Sequence, residues 1–215
     1  MIGERAKDSN IIRVTAKKDF TKNSTVKWVM DEIKCHRDAA LGSLPCVGGC
    51  SFQYINALKG TATRENIKAH WALFRRLWSS FTKVARHVFE VDATLLWEWP
   101  SRCMYWKDDK VVSFINKHNL ICFRVDGCAY GLKAARPSHA GVPMLKSWTF
   151  CTNKPIVKKI LARECSGDHA HARVEGPDTV RTQSYTTELV DRIHIALAAA
   201  ADGIAVEDWN ENKAK

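Results

Sequence analysis

Ser43-Leu44-Pro45-Cys46 closes one apolar run and opens onto the turn Val47-Gly48-Gly49, and Trp97-Glu98-Trp99-Pro100 closes a second apolar run further along the chain. A thiol and a carboxylate at the ends of two strand-like segments are the residue types of covalent catalysis: sulfur adds to an electrophilic carbon while the acid handles a proton. The glycine turn is expected to expose the Cys46 sulfur, and a neighbouring helix N-terminus or lysine would lower its pKa. The plainer alternative is a cysteine that merely ends a strand, with Cys50 packed nearby. Glu98 stands between two tryptophans. Burying its charge is costly without a partner, so it is either a proton carrier or, by strand alternation, a solvent-facing residue with Trp97 and Trp99 turned inward.

Two further segments carry chemistry-bearing types. Cys165-x3-His169-x-His171 has the ligand types of a zinc site, for which His139 or Cys151 could supply a fourth partner. No paired Cys-x2-Cys knuckle accompanies it, and the sequence alone assigns no metal. Asp126-Gly127-Cys128-Ala129-Tyr130-Gly131 closes another strand-like run with tight glycine geometry. The eight cysteines follow no disulfide framework, so reduced thiols are expected throughout.

The elements that must position these residues follow from periodicity. Residues 10–16 read as a short strand, and Ser24 can cap a helix reaching about Cys35 with Val26, Val29, Met30 and Ile33 on one face. Residues 39–44 read as a buried strand stopped by Pro45. Ile67, Trp71, Phe74, Trp78, Phe81, Ala85 and Val88 recur at steps of four and three, which predicts a long amphipathic helix over 64–90. Its tryptophans are read as core, and Lys68, Arg75, Arg76, Lys83 and Arg86 occupy much of its other surface. Further strands are expected over 94–99, 120–125 and 148–152, with helices over 108–118, 155–164 and 187–200. Strands alternating with helices predict an α/β fold with a mostly parallel sheet flanked by helices, in one domain over 1–206 with 207–215 as a flexible tail.

Composition sets the outer bounds. The chain has 215 residues, 46% of them hydrophobic and 26% charged, and no apolar run approaches a membrane span. Residues 1–10 carry Glu4, Arg5, Lys7 and Asp8 rather than an apolar leader, so an intracellular, non-secreted protein is expected, in the cytoplasm or nucleus of a host. Lys and Arg total 33 against 23 Asp and Glu, a formal charge of +10 that favours phosphate-rich partners.

Taken in chain order, these segments resemble the core of cytosine-C5 DNA methyltransferases. Asp19-Phe20 is similar to the acidic position that contacts the cofactor's adenosine in that family. Ser43-Leu44-Pro45-Cys46, with Ser51-Phe52 downstream, resembles its Pro-Cys loop, and Glu98 resembles the glutamate of its Glu-Asn-Val motif. Tyr130-Gly131 followed by Lys146-Ser147-Trp148-Thr149-Phe150 is similar to the family's Tyr-Gly segment and the arginine-rich strand it leads into. A closer likeness, over residues 11–194, is to uncharacterised methyltransferase-like proteins of phage genomes and protist retroelement polyproteins, carried by SLPCVGG, LWEWPSRCMYW, DGCAYGL and CSGDHAHA.

The resemblance implies a methyltransferase-like Rossmann domain acting on DNA or RNA with S-adenosylmethionine as cofactor, bound near Asp19, Phe20 and Ser43. Cys46 would add to C6 of a flipped pyrimidine, Glu98 would hold or protonate the ring nitrogen, and C5 would take the methyl group. Arg102, Lys107, Arg136 and Lys146 would contact phosphates at the same sheet edge. The chain departs from the family pattern, and no large target-recognition region is read after Thr152. Gly3 has no strand before it, which leaves room for a sheet without its first strand; Val47 stands where a glutamine is usual, and Trp99 where an asparagine is. A non-catalytic basic module that retains the fold and binds nucleic acid is the alternative.

Overall fold

The structure, a computed structural model, describes residues 10–210; Gly3 and the last five residues of the expected tail lie outside the described residues. Within them the chain divides into two compact units. The N-terminal unit, Ile12–Ile121 with Cys151–Asn153, holds α1 (Asn23–Glu32), β1 (Ala39–Gly42), α2 (Gln53–Ala57), α3 (Thr61–Glu90), β2 (Thr94–Pro100) and α4 (Asp109–Lys117). The C-terminal unit holds most of β3 (Ile121–Asp126) and β4 (Ser147–Thr152), followed by α5 (Pro155–Leu161), α6 (Pro177–Arg181) and α7 (Thr187–Ala201).

The sheet corrects the expected fold class. Its four strands run in the order β1-β2-β4-β3, with β1 and β2 parallel from Ala39 opposite Thr94 to Gly42 opposite Trp97, and the other pairings antiparallel. This is a small mixed sheet, not the mostly parallel, methyltransferase-like Rossmann sheet that strand–helix alternation suggested. Parallel neighbours need a long crossover, usually helical, and the stretch joining β3 to β4 contains only two short 3-10 turns, Gly127–Tyr130 and Pro137–His139. The strand expected over residues 10–16 does not form: residues 10–15 have no regular structure and Ala16 begins a turn. Of that stretch, Arg13, Val14 and Thr15 are all exposed, so it presents no continuous apolar face to bury.

In the N-terminal unit α3 forms as its periodicity predicts and buries Phe74, Leu77, Trp78, Phe81, Val84, Ala85 and Val88. Around it sits an aromatic core: Phe74 stacks on Tyr105 with centroids 3.7 Å apart, and Trp78 meets Phe81, Trp97, Trp99 and Phe114. Burying one such ring stabilises the fold by on the order of 3 kcal/mol. Gly42 is required by this packing, because a Cβ there would lie 2.7 Å from Cε2 of Phe81. The start of β2 is latched by one amide: Asn153 Oδ1 accepts from Leu95 N at 2.8 Å while its Nδ2 donates to Ala93 O at 2.9 Å.

In the C-terminal unit Pro155 occupies the first turn of α5, where its missing N–H costs nothing. Thr186 Oγ1 caps α7 by accepting from Leu189 N at 3.2 Å. Buried Ala196, Ala199 and Ala200 of α7 are small enough for close helix packing, and α5 buries Ile156, Val157, Ile160 and Leu161. The expected extension of α5 to Glu164 does not form, because Arg163 O accepts from Asp126 N at 2.9 Å and the segment runs beside the end of β3 instead.

Candidate functional site

The thiol loop and the carboxylate strand are tied together. Ser43 Oγ donates to Glu98 Oε1 at 2.8 Å, and Trp99 Nε1 donates to Leu44 O at 2.9 Å. Two consecutive residues of β2 thus hold the segment that leads into Cys46. Every residue of β2 from Thr94 to Trp99 is buried, so alternation does not turn Glu98 to solvent; it is 5% exposed. A carboxyl group placed there depends on its hydrogen bonds, of which Ser43 provides one.

Cys46 is half-buried and caps the 3-10 turn Val47–Gly49. Gly48 and Gly49 owe their identity to close packing rather than to an unusual dihedral. A Cβ at Gly48 would lie 2.5 Å from Tyr105 Oη, and one at Gly49 would lie 2.6 Å from Cys103 Sγ. Burial pushes the Cys103 thiol up to about 12, and nearby Cys46, Cys50 and Glu98 push the same way. Burial likewise raises Tyr105, with Cys103 and Cys46 adding to it and hydrogen bonds from Gly48 and Gly49 opposing it. Cys46, Cys50, Cys103, Tyr105 and Glu98 therefore form one electrostatic neighbourhood, in which Cys103 is a neutral thiol at pH 7. Cys103 and Tyr105 fall within the segment LWEWPSRCMYW, but nothing in their types or spacing singled them out as neighbours of Cys46.

The other expected residues lie in different settings. Asp19 is exposed, and its Oδ1 accepts from Thr21 N and Thr21 Oγ1 at 2.9 and 2.7 Å, in a turn just before α1. The Thr21 hydroxyl, then its backbone N–H, hold that carboxyl below the usual aspartate range. Phe20 packs on the aromatic core. Arg102 and Lys107 are exposed in the turns after β2. Arg136, in the C-terminal unit, donates to Glu175 Oε1 at 2.6 Å, so its charge is already matched. Lys146, half-buried in the same unit, has Nζ 6.0 Å from the Trp148 ring centroid.

A second feature of the N-terminal unit was not anticipated as a site. Arg75, Ser79, Thr82 and Arg86 of α3 and Lys110, Ser113 and Lys117 of α4 line a groove of about 340 Å³, with Trp78 and Phe114 also lining it. Those two rings meet edge to face, with centroids 5.6 Å apart. All four cationic residues are exposed, and the lining residues include no carboxylate. The positive field is felt at His118: burial lowers its pKa first, and Lys117 and Arg86 lower it further. The signal was present in the spacing, since the α3 residues recur at steps of four and three and Lys110, Ser113 and Lys117 repeat the pattern. Reading only the apolar stripe hides it.

In the C-terminal unit Cys165, His169 and His171 come together as their spacing suggested, and Cys128 joins them, with one ligand atom from each within 4.8 Å of all the others. Neither residue suggested as a fourth partner takes part. His139 Nδ1 lies 2.8 Å from Ser138 Oγ, and Cys151 is disulfide-bonded, as is Cys122. Those two depart from the expectation of reduced thiols; the other six cysteines are thiols. Burial, then contact with Cys165, pushes the Cys128 thiol up to about 11.

No protein-family model, curated protein or solved structure matches this chain. Among the described residues no helix is long and apolar enough to cross a membrane.

Proposed function

We propose that this protein binds nucleic acid, with the groove between α3 and α4 as the seat of the phosphate backbone. The observation that carries the reading is the groove itself: four exposed cations and three hydroxyl side chains, with no carboxylate among the lining residues. Arg75 and Arg86 are separated by about 16 Å along α3, from 1.5 Å of rise per residue. That length suits an extended polyanion better than a single phosphate. Hydroxyl and cationic side chains are the usual phosphate partners, and the formal charge of +10 favours the encounter.

The test is binding of labelled single-stranded DNA and RNA, read by fluorescence anisotropy. Arg75→Glu combined with Lys117→Glu is expected to weaken binding by at least about 100-fold, tenfold or more for each reversed contact. Lys158→Glu with Lys159→Glu, an equal charge change on exposed positions of α5, is the control and is expected to cost far less. Equal losses in the two double variants would remove the groove from the reading.

A second reading rests on the hydrogen bond between Ser43 and Glu98. On the family resemblance, this neighbourhood acts on a pyrimidine: the Cys46 sulfur adds to C6 as Glu98 steadies the ring nitrogen. C5 then takes the methyl group of S-adenosylmethionine, releasing S-adenosylhomocysteine, and loss of the C5 proton expels the thiolate. With labelled cofactor and DNA or RNA, Cys46→Ala is expected to lose at least about 10³-fold of the transfer rate. Transfer that survives this substitution, or wild-type protein that transfers nothing, rules the chemistry out.

A further inference from the structure

We propose that Cys128, Cys165, His169 and His171 form a structural Zn²⁺ site of the Cys2His2 class that clamps the 165–171 loop to the turn after β3. A tetrahedral zinc ion with Zn–S of about 2.3 Å and Zn–N of about 2.05 Å requires a sulfur-to-nitrogen edge of about 3.6 Å. Cys165 Sγ lies 3.4 Å from His171 Nε2 and 3.7 Å from His169 Nε2, and the Cys128 ligand atom is within 4.8 Å of the rest. One sulfur facing two imidazole nitrogens and a second thiol is the arrangement a shared cation imposes. Four protein ligands close the tetrahedron, which marks a structural site rather than a catalytic one. Mixed thiolate and imidazole donors select zinc over magnesium or calcium.

The surroundings orient the ligands toward that point. Asp168 Oδ1 lies 2.7 Å from His169 Nδ1, which places the ring proton on Nδ1 and leaves the Nε2 lone pair for a metal. Ser166 Oγ donates to the same Asp168 oxygen at 2.6 Å. Gly167 N donates to Cys165 Sγ at 3.3 Å, which fixes the sulfur's position in the loop. The loop is pinned at both ends without any ion: Cys165 N donates to buried Asp126 Oδ2 at 2.9 Å, and Ala172 N donates to Pro143 O at 2.8 Å. Between these anchors residues 166–171 have no α-helix or strand of their own. A metal clamp supplies the cross-links that such a short polar loop otherwise lacks.

The experiment is metal analysis of the purified full chain, expressed with zinc in the medium and dialysed against metal-free buffer. One zinc per chain is expected in the wild type. Cys128→Ala and Cys165→Ala are each expected to fall below about one-tenth of that content, because removing one of four ligands opens the site. Cys128→His, which restores a nitrogen donor, is expected to keep zinc and so separates ligand loss from misfolding. Cobalt substituted for zinc is expected to give the intense absorption of a tetrahedral thiolate complex, lost in Cys165→Ala. Asp168→Ala is expected to weaken zinc affinity by about 10- to 100-fold while keeping the stoichiometry at saturation. Wild-type protein with less than one-tenth zinc per chain, or Cys128→Ala that keeps full zinc, overturns the proposal.

Discussion

Asp38 shows what one carboxyl group does at the join between α1 and β1. Its Oδ2 accepts from Lys34 N at 2.7 Å and Cys35 N at 3.0 Å, while its own carbonyl accepts from Thr94 N at 2.9 Å at the head of the parallel pair. Partial burial is the largest single influence on its pKa and raises it, but the backbone N–H bonds from Lys34 and Cys35, with the Cys35 side chain and the Lys34 charge adding to them, together hold the group below the usual aspartate value. A folded-state pKa below the unfolded one means that the stabilisation is complete above the unfolded value, near pH 4, and is lost as pH falls through the folded value. Asp38→Asn keeps the shape and removes the charge. With a discount for solvent screening it is expected to cost about 1 kcal/mol at pH 7, and the gap to wild type should close by about pH 2 as wild-type Asp38 becomes protonated. Urea unfolding at the two pH values measures this, and a gap unchanged between them would show that the charge is not what matters.

Among the elements, legibility followed the strength of the local pattern. α3 was readable because its apolar stripe repeats over many turns and its partners, the rings of β2 and α4, are as apolar as the stripe. α7 was readable for the same reason, and α5 only up to the point where Arg163 leaves the helix to bridge Val125. Strand direction was not readable at all: residues 148–152 read as a strand in either orientation, and only the turn-rich stretch joining β3 to β4 decides that β4 enters as an antiparallel partner. The site divided in the same way. Chain order pointed to Cys46 and Glu98 as partners at neighbouring strand ends; the contact that forms there is instead from Ser43 to Glu98, which the sequence did not single out as a pair. Cys128 as a neighbour of Cys165 was hidden because the two are distant in sequence and meet only where residues 163–165 run along β3. The cationic groove was hidden differently. Its residues were seen as the solvent side of α3, and only a second helix with the same polar spacing gives that side a partner.

For the molecule as a whole, the question is whether its charge acts diffusely or through a place. A surplus of ten positive charges attracts any polyanion, and by itself it predicts binding that no single substitution alters much. A groove predicts something narrower. Each phosphate neutralised on a single strand releases condensed counterions, contributing about −0.7 to the slope of log K against log salt. If Arg75, Arg86, Lys110 and Lys117 each hold one phosphate, the groove accounts for a slope of about −3. Lys117→Ala is then expected to reduce the slope by about 0.7 as well as to weaken binding, and Arg86→Ala to do the same. Lys159→Ala in α5 removes the same formal charge and should leave the slope unchanged. Anisotropy titrations between about 50 and 200 mM salt resolve these differences. A slope that shifts equally for all three variants would assign binding to net charge and leave the groove without a role.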